Sequence, residues 1–341
     1  MSAFATLAAV ERRLYLDQVA TRLGVVPVIV EKDFWVCWIL QRIFATPALA
    51  ADVVFKGGTS LFKVFRVITR FSEDVDLSVT PASLGFAEQD LDEAPSSSQR
   101  SKRMQKLAGR CEARVRDDYQ PVLESEIVSA LGAAPAGAQW LSYAIDPVAA
   151  TPNLWFEYPS VLPQPGGYVA KRVKLEIGAL TRQQPTGTYS IAPLLADALG
   201  MAFDDFSSRV VALELARTFW EKATILHAEF HRPAQRVLRD RSSRHYSDFA
   251  ALWSDASRGQ SLARLDILED VARHKSRFFA SPWANYHTAR PGTFRLVPPD
   301  ARHAELARDY DNMRPMFLGE PRPFAELVGE LARAEEALNA S

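Results

Sequence analysis

The 341-residue chain has only two cysteines, Cys37 and Cys111, far apart and without metal-ligand spacing around either. That argues against a disulfide framework or a zinc module and for a reducing compartment. It also lacks an excess of either charge: 40 Lys and Arg against 41 Asp and Glu leave a formal net charge of −1. No global basic field therefore advertises nucleic acid, and any RNA contact must come from a local patch. No apolar run reaches the roughly 18 residues of a membrane span. The opening Met-Ser-Ala-Phe-Ala-Thr has no basic stretch ahead of an apolar core, so a cytoplasmic protein without a membrane partner is expected. No internal repeat is visible, and no glycine loop ends in Gly-Lys-Ser/Thr, which excludes a P-loop. What remains is ordinary for a globular protein, 48% hydrophobic and 24% charged, enough for one large or two modest domains.

The most informative segment is Phe55 to Leu77. Gly57-Gly58-Thr59-Ser60 follows the strand-like Val53-Val54-Phe55 and opens a short helix expected over Leu61 to Ile68. Backbone N–H groups at such a turn can face an anion with no Cβ in the way. About fifteen residues on, Asp74 and Asp76 flank Val75 in a run where Val75, Leu77 and Val79 alternate. In a strand, residues i and i+2 share a face, so both carboxylates project together. Paired carboxylates near a phosphate cradle suit Mg²⁺ on a nucleoside triphosphate. Taken alone, each half reads as a turn or a solvated strand edge; the order strand, Gly-Gly-Thr-Ser, helix, Asp-x-Asp strand is what carries the reading.

Helices are expected over Val10 to Leu23, with Leu14, Val19 and Leu23 apolar and Gly24 as C-cap, and over Val28 to Ile43. The stretch from Ala87 to Gln99 reads as a surface loop, and Arg100 to Leu131 as a helical segment that begins basic. Strand runs Leu154 to Ser160 and Tyr168 to Leu180 flank a turn at Pro163, Pro165, Gly166 and Gly167. In the second run Val173, Leu175, Ile177 and Ala179 face one way and Lys174, Glu176 and Gly178 the other. After a polar loop, Arg182 to Gly187, the chain reads as helical to its end: Leu213 to Phe230, Arg244 to Trp253, Leu265 to Phe279, Ala301 to Met316 and Phe324 to Leu338. The expected fold is α/β (α+β): a small mixed sheet with N-terminal helices, then a largely helical C-terminal domain. The boundary falls near residues 190–205, giving domains 1–200, with a helical insertion near 84–150, and 201–341.

The Gly-Gly-Thr-Ser and Asp-x-Asp pair resembles the polymerase-β type of nucleotidyltransferase. Within that superfamily, several segments resemble the AbiEii toxins of type IV toxin–antitoxin systems: Glu31-Lys32-Asp33-Phe34-Trp35-Val36, Arg217 to His227, Arg244-His245-Tyr246-Ser247-Asp248-Phe249, and Asp309-Tyr310-Asp311-Asn312-Met313. The resemblance implies transfer of a nucleoside monophosphate from an NTP, with Mg²⁺ or Mn²⁺, to an RNA 3′ end, for some members that of tRNA. It also implies an antitoxin partner of the AbiEi type. A protein hydroxyl as acceptor, or a non-catalytic nucleotide- or RNA-binding module, are the competing readings.

Nucleotidyl transfer calls for about three carboxylates around two metal ions. Asp74 and Asp76 supply two, and Glu176, on a strand face of its own, fits the third; its alternative is an ion pair with Lys174 or Arg172. Gly57, Gly58, Thr59 and Ser60 would bind the nucleotide phosphates. Lys222 would bring a point charge to the triphosphate, or else be a surface lysine paired with Glu221 or Glu214. Asp248 would support Lys222, or else be a helix N-terminal charge. Glu73 falls on the opposite pleat from Asp74 and is set aside. Arg232, Arg236, Arg239, Arg241 and Arg244, five arginines in thirteen residues, offer an RNA track, Arg236, Arg239 and Arg241 foremost, or a solvated loop. Two departures stand out: Thr59 or Ser60 must serve where many relatives have Gly-Ser directly, and about a hundred residues separate Asp76 from Glu176.

Overall fold

A computed structural model of the chain describes residues 1–87, 94, 96–147, 149–163, 170–199, 205–279 and 281–340. The chain divides into two compact units, one formed by Met1–Phe65 and Phe71–Leu213, the other by Arg66–Arg70 and Glu214–Ser341. The short Arg66–Arg70 link thus belongs to the unit whose main body begins about 150 residues later.

The first unit is built on a seven-stranded mixed sheet: β1 (Val53–Lys56), β2 (Val75–Val79), β3 (Leu141–Ile145), β4 (Pro152–Phe156), β5 (Val173–Gly178), β6 (Thr186–Ile191) and β7 (Ser208–Leu213), in the order β3-β4-β5-β2-β1-β7-β6. β2 pairs antiparallel with β1 and parallel with β5, while β1 pairs parallel with β7. Helices α1 (Ala9–Leu23) and α2 (Pro27–Ala45) precede the sheet. Helix α3 (Gly57–Lys63) joins β1 toward β2, and α4 (Ser97–Ala113) runs through a π-helical turn, Arg114–Tyr119, into α5 (Gln120–Leu131). Apolar residues of the central strands, Val75, Leu77, Leu154, Phe156, Leu175 and Ile177, are buried. Trp38 of α2 stacks on Phe156 with ring centroids 5.5 Å apart, and Trp35 on Tyr158 at 5.7 Å, which seats α2 on that face of the sheet.

Several local expectations need correction. Gly57 and Gly58 are not a turn ahead of a helix but its first residues; α3 ends at Lys63, and Ile68 lies outside it. In α1 the buried residues are Leu16, Val19 and Ala20, whereas Leu14 is 69% exposed. Two strands occupy a region read as loop and helix. β6, a polar edge strand, takes the place of part of the expected loop, and β7 precedes the helix that starts at Leu215. β3 also went unread. The strand expected over 154–160 begins earlier, at Pro152, and ends at Phe156, and the one expected over 168–180 is Val173–Gly178, its residues 168 and 169 lying outside the described residues. Of the expected loop at 87–99, residues 88–93 and 95 lie outside the described residues, as do Pro165, Gly166 and Gly167 of the expected turn and residues 200–204 near the expected boundary.

The second unit is helical: α6 (Leu215–Phe230), α7 (Ser243–Ser254), α8 (Leu265–Phe278), α9 (Asp300–Asn312) and α10 (Phe324–Asn339). Phe219 of α6 packs on Phe249 of α7 with centroids 5.1 Å apart, and Trp220 stacks on Phe294 at 6.0 Å. The Arg66–Arg70 link is held by a bridge between Arg70 and Phe317 and by a Leu318 N–H donating to the Thr69 carbonyl at 2.8 Å. Among the described residues no helix is long and apolar enough to cross a membrane.

Candidate active site

In the first unit, alternation along β2 and β5 sorts apolar from charged side chains. Val75 and Leu77 go inward, while Asp74 and Asp76 take the other face; Leu175 and Ile177 go inward, while Lys174 and Glu176 take that same other face. The registers then line up a row across four strands: Lys56 beside Asp76, Asp76 beside Glu176, Glu176 beside Asn153. Two residues back, Trp155 stands beside Lys174.

The glycine turn meets this row directly. Gly57 has φ +82°, a left-handed conformation that a side chain would strain, and a Cβ there would fall 2.0 Å from Asp76 Oδ2. Gly57 is therefore required twice, by its backbone and by the carboxylate lying against it. The neighbouring hydroxyls point elsewhere. Thr59 donates to the Asp74 carbonyl and Ser60 to the Gly57 carbonyl, and both residues are wholly buried. Thr59 ties the helix start to the residue ahead of β2, and Ser60 bonds within its own helix, so both hydroxyls are committed inside the protein.

Carboxylates crowd this face. Burial, with Glu73 and Asp76 nearby, pushes the Asp74 carboxyl up to about 6. Glu176 is held by Lys174, whose ammonium lies 2.9 Å from Glu176 Oε2 and 3.1 Å from Asp146 Oδ2. The ion-pair alternative weighed for Glu176 is thus the arrangement in this state. Among the described residues, no three Asp, Glu, His or Cys side chains are gathered into a ready-made metal site. The donors suit a hard divalent cation, being all carboxylate oxygens, and Glu176 sits in register with Asp76 while bonded to Lys174. Glu73 is turned away, as its pleat requires, into a buried pair with Lys32 at 2.6 Å.

Three charges of α2 are buried in the core, which nothing in their helical spacing announces. Glu31 accepts from Ser160 Oγ and the Val161 N–H, both at 2.7 Å. Lys32 holds Glu73, and Asp33 accepts from Lys63 Nζ at 2.7 Å and the Leu194 N–H at 2.6 Å. Lys63 lies at the end of α3, so this pair ties the glycine-opened helix to α2.

In the second unit, Lys222 of α6 and Asp248 of α7 form an ion pair of 2.7 Å, with Lys222 7% exposed and Asp248 fully buried. Lys222 is therefore not a surface lysine paired with Glu221 or Glu214. Nor is Asp248 a helix-terminal charge: it stands well inside α7. Arg70, which sequence reasoning did not single out, completes the cluster with two parallel bonds to Asp248, Nε to Oδ1 at 2.7 Å and Nη2 to Oδ2 at 2.8 Å. Its signal is absent from the sequence because the partners are 178 positions apart. Burial alone would raise the Asp248 carboxyl, but Arg70 and Lys222 together hold it far below the usual carboxylate range. Burial lowers the Lys222 ammonium, against the pull of Asp248. His245, 3.3 Å from Lys222 Nζ, is driven well below its usual value by burial and by Lys222, so it faces the lysine as a neutral ring.

The arginine-rich stretch is not a free loop. The Arg241 and Ser243 N–H groups donate to Asp309 at 2.7 and 2.8 Å, and the Arg302 guanidinium binds the carbonyls of Pro233, Ala234 and Arg236. Arg232 pairs with Glu229, while Arg236 and Arg239 are exposed. The backbone is pinned and the two side chains reach solvent.

A mixed sheet that sets an Asp-x-Asp pair against a glycine-opened helix, with an acidic neighbour in register, defines a nucleotidyltransferase-type fold and site. The family described as the nucleotidyl transferase AbiEii toxin of type IV toxin–antitoxin systems matches residues 38–339. The chain belongs to that family and is a nucleotidyltransferase of the toxin class. Family membership brings with it an NTP substrate and an antitoxin. Among solved structures, the chain is similar to MenT4, a nucleotidyltransferase toxin from Mycobacterium tuberculosis H37Rv, at 15% identity and a TM-score of 0.43 over 98% of each chain. No curated protein sequence matches.

Proposed function

We propose that the enzyme transfers a nucleoside monophosphate from an NTP to the 3′-hydroxyl of an RNA, foremost the acceptor end of tRNA, and that this blocks translation or phage growth in the cytoplasm until an AbiEi-type antitoxin intervenes. The observation that carries the chemistry is the contact of Asp76 with the Cβ position of Gly57, with Glu176 in register beside it. The backbone N–H groups at Gly57 and Gly58 receive phosphate oxygens. Asp74, Asp76 and, once it leaves Lys174, Glu176 hold the divalent cation, Mg²⁺ or Mn²⁺. When bound, the cation neutralises charge on the transferred phosphoryl group and the leaving pyrophosphate. Glu176 takes the proton of the RNA 3′-hydroxyl as its oxygen attacks the α-phosphorus. The bond between the α-phosphorus and the α–β bridging oxygen breaks, and pyrophosphate leaves with that electron pair. Lys222, held by Asp248, which Arg70 also binds, supplies positive charge for the triphosphate, and the exposed Arg236 and Arg239, with Arg241, follow RNA phosphates.

The test is a labelling assay with each α-labelled NTP, Mg²⁺ and total tRNA. Label on RNA supports the reading, label on protein moves the acceptor to a Ser, Thr or Tyr hydroxyl, and no label on either removes the activity from this reaction.

A further inference from the structure

The row of side chains on the acidic face does not end at Glu176. Its next member is Asn153 of β4, directly opposite Glu176 in the antiparallel register. Leu154, its chain neighbour, points into the core, so Asn153 shares the face of Asp76 and Glu176. Asn153 is only 3% exposed, yet its Oδ1 is buried without a hydrogen-bond partner. The Thr151 hydroxyl, two residues earlier, is likewise buried and unpartnered. A Cβ built on Gly178, two residues beyond Glu176 on its face, would come 3.8 Å from Thr151 Cγ2, so Thr151 stands on that side of the sheet as well. A buried polar atom left unpaired costs free energy in the free protein, and a side chain kept at that cost asks for a partner that arrives later.

The order along the row says which partner. The glycine turn lies beyond Asp76 at one end; Glu176 is next, and Asn153 lies on the far side of Glu176 from the glycine turn. With phosphates at the glycine end and the attacking hydroxyl at Glu176, the next position belongs to the acceptor. We infer that Asn153, flanked by Thr151, recognises the hydroxyl adjacent to the attacking one, the ribose 2′-OH of an RNA 3′ terminus, and so makes the enzyme discriminate RNA from DNA ends. This rests on the proposed transfer to an RNA 3′-hydroxyl. A hydroxyl is both donor and acceptor, so it satisfies the Asn153 amide in either orientation of that group. The 2′-OH is the group by which proteins tell RNA from DNA.

Two full-length tRNAs, identical except for ribose or 2′-deoxyribose at the last nucleotide, are offered with α-labelled NTPs to the wild-type protein and to Asn153→Leu and Asn153→Ala. Because a site built around a substrate hydroxyl rejects the analogue lacking it, wild type is expected to favour the ribose end by about 10- to 100-fold in kcat/KM. Both variants are expected to bring that ratio within about 3-fold, chiefly by slowing the ribose substrate. Mn²⁺ binding, followed by its paramagnetic resonance signal, should be unchanged, and Tm unchanged or higher because the unpaired amide is gone. A purely structural Asn153 would instead lower Tm and leave the ratio alone. Equal use of both ends by wild type, or retention of the preference in the folded variants, overturns the inference and leaves the proposed RNA transfer standing. If neither tRNA is labelled and label appears on protein, the RNA reading falls and takes this inference with it.

Discussion

The two charged clusters fail to neutralise themselves in opposite directions. On the β2–β5 face, Lys174 is divided between Glu176 and Asp146, with Asp76 in register beside Glu176. In the helical unit, Asp248 is shared by two cations, Arg70 and Lys222. In the first, one ammonium serves two carboxylates; in the second, one carboxylate serves two cations. Burial, with Glu73 and Asp76 nearby, pushes the Asp74 carboxyl of the first up to about 6; the second is buried and fully hydrogen-bonded at its carboxylate.

The sharpest way to break this comparison is Asp76→Asn. It keeps the size of the side chain against Gly57 and removes one carboxylate. Label transfer from NTP should fall by about 10³-fold or more, roughly 4 kcal/mol of barrier. Tm should hold or rise because repulsion with Asp74 is relieved. Near-wild-type turnover would show that the acidic face is not the reaction centre.

Next in size is Asp248→Ala in the sealed cluster. It strands two buried cations, and urea unfolding should show a loss of about 3–5 kcal/mol. Lys222→Met, which leaves Arg70 bonded to Asp248, should destabilise less while still reducing transfer. If the two variants lost equal stability, the view of Asp248 as the shared counter-ion would be wrong.

Acid separates the regions by sign. Burial, with Glu73 and Asp76 nearby, pushes the native Asp74 carboxyl up from the usual 3.8 to about 6, so the folded protein binds this proton more tightly than the unfolded chain. Its burial penalty is present above pH 6 and relieved as pH falls toward 4, a gain of about 2–3 kcal/mol for the cation-free protein. Asp248 is lowered, so the stability it provides is present above its unfolded value and lost as acid titrates it. Protons also compete with cation at Asp74, and Mn²⁺ affinity should drop toward tenfold per pH unit below 6. An affinity flat from pH 7 to pH 5 would remove Asp74 from the cation site.

Legibility followed the range of the interactions. The Asp-x-Asp strand and the facing of Lys174 and Glu176 depend on alternation within a few residues, and they were readable; the helix start at Gly57 was not, because the glycines read as a turn. β7 was not, because Val210-Val211-Ala212-Leu213 runs without a break into the helix at Leu215, and a short apolar run of that kind fits helix or strand alike. β6 is a polar edge strand, Thr-Gly-Thr-Tyr-Ser-Ile, whose partner supplies the pattern its own sequence lacks. Arg70 and Asn153 were invisible for a different reason. One gains meaning from an aspartate far along the chain, the other from a register that sets it beside Glu176. Buried charge at Glu31, Lys32 and Asp33 contradicts the ordinary rule for helices, and only their partners explain it.

The mildest change probes why the acidic face is not already gathered. Lys174 gives Glu176 a counter-ion in the cation-free protein, and a divalent ion must compete for that carboxylate. The pair is partly exposed, with Glu176 at 32% and Lys174 at 14% side-chain exposure, so its strength is modest, about 1 kcal/mol or less. Lys174→Met should therefore tighten Mn²⁺ binding by only a few-fold, since each 1.4 kcal/mol is worth tenfold. Tm of the cation-free protein should fall slightly, as Glu176 and Asp146 lose the ammonium they share, and added Mn²⁺ should restore it. Weaker Mn²⁺ binding in this variant would reverse the picture: Lys174 would then be a support that positions Glu176, not a competitor that the cation displaces.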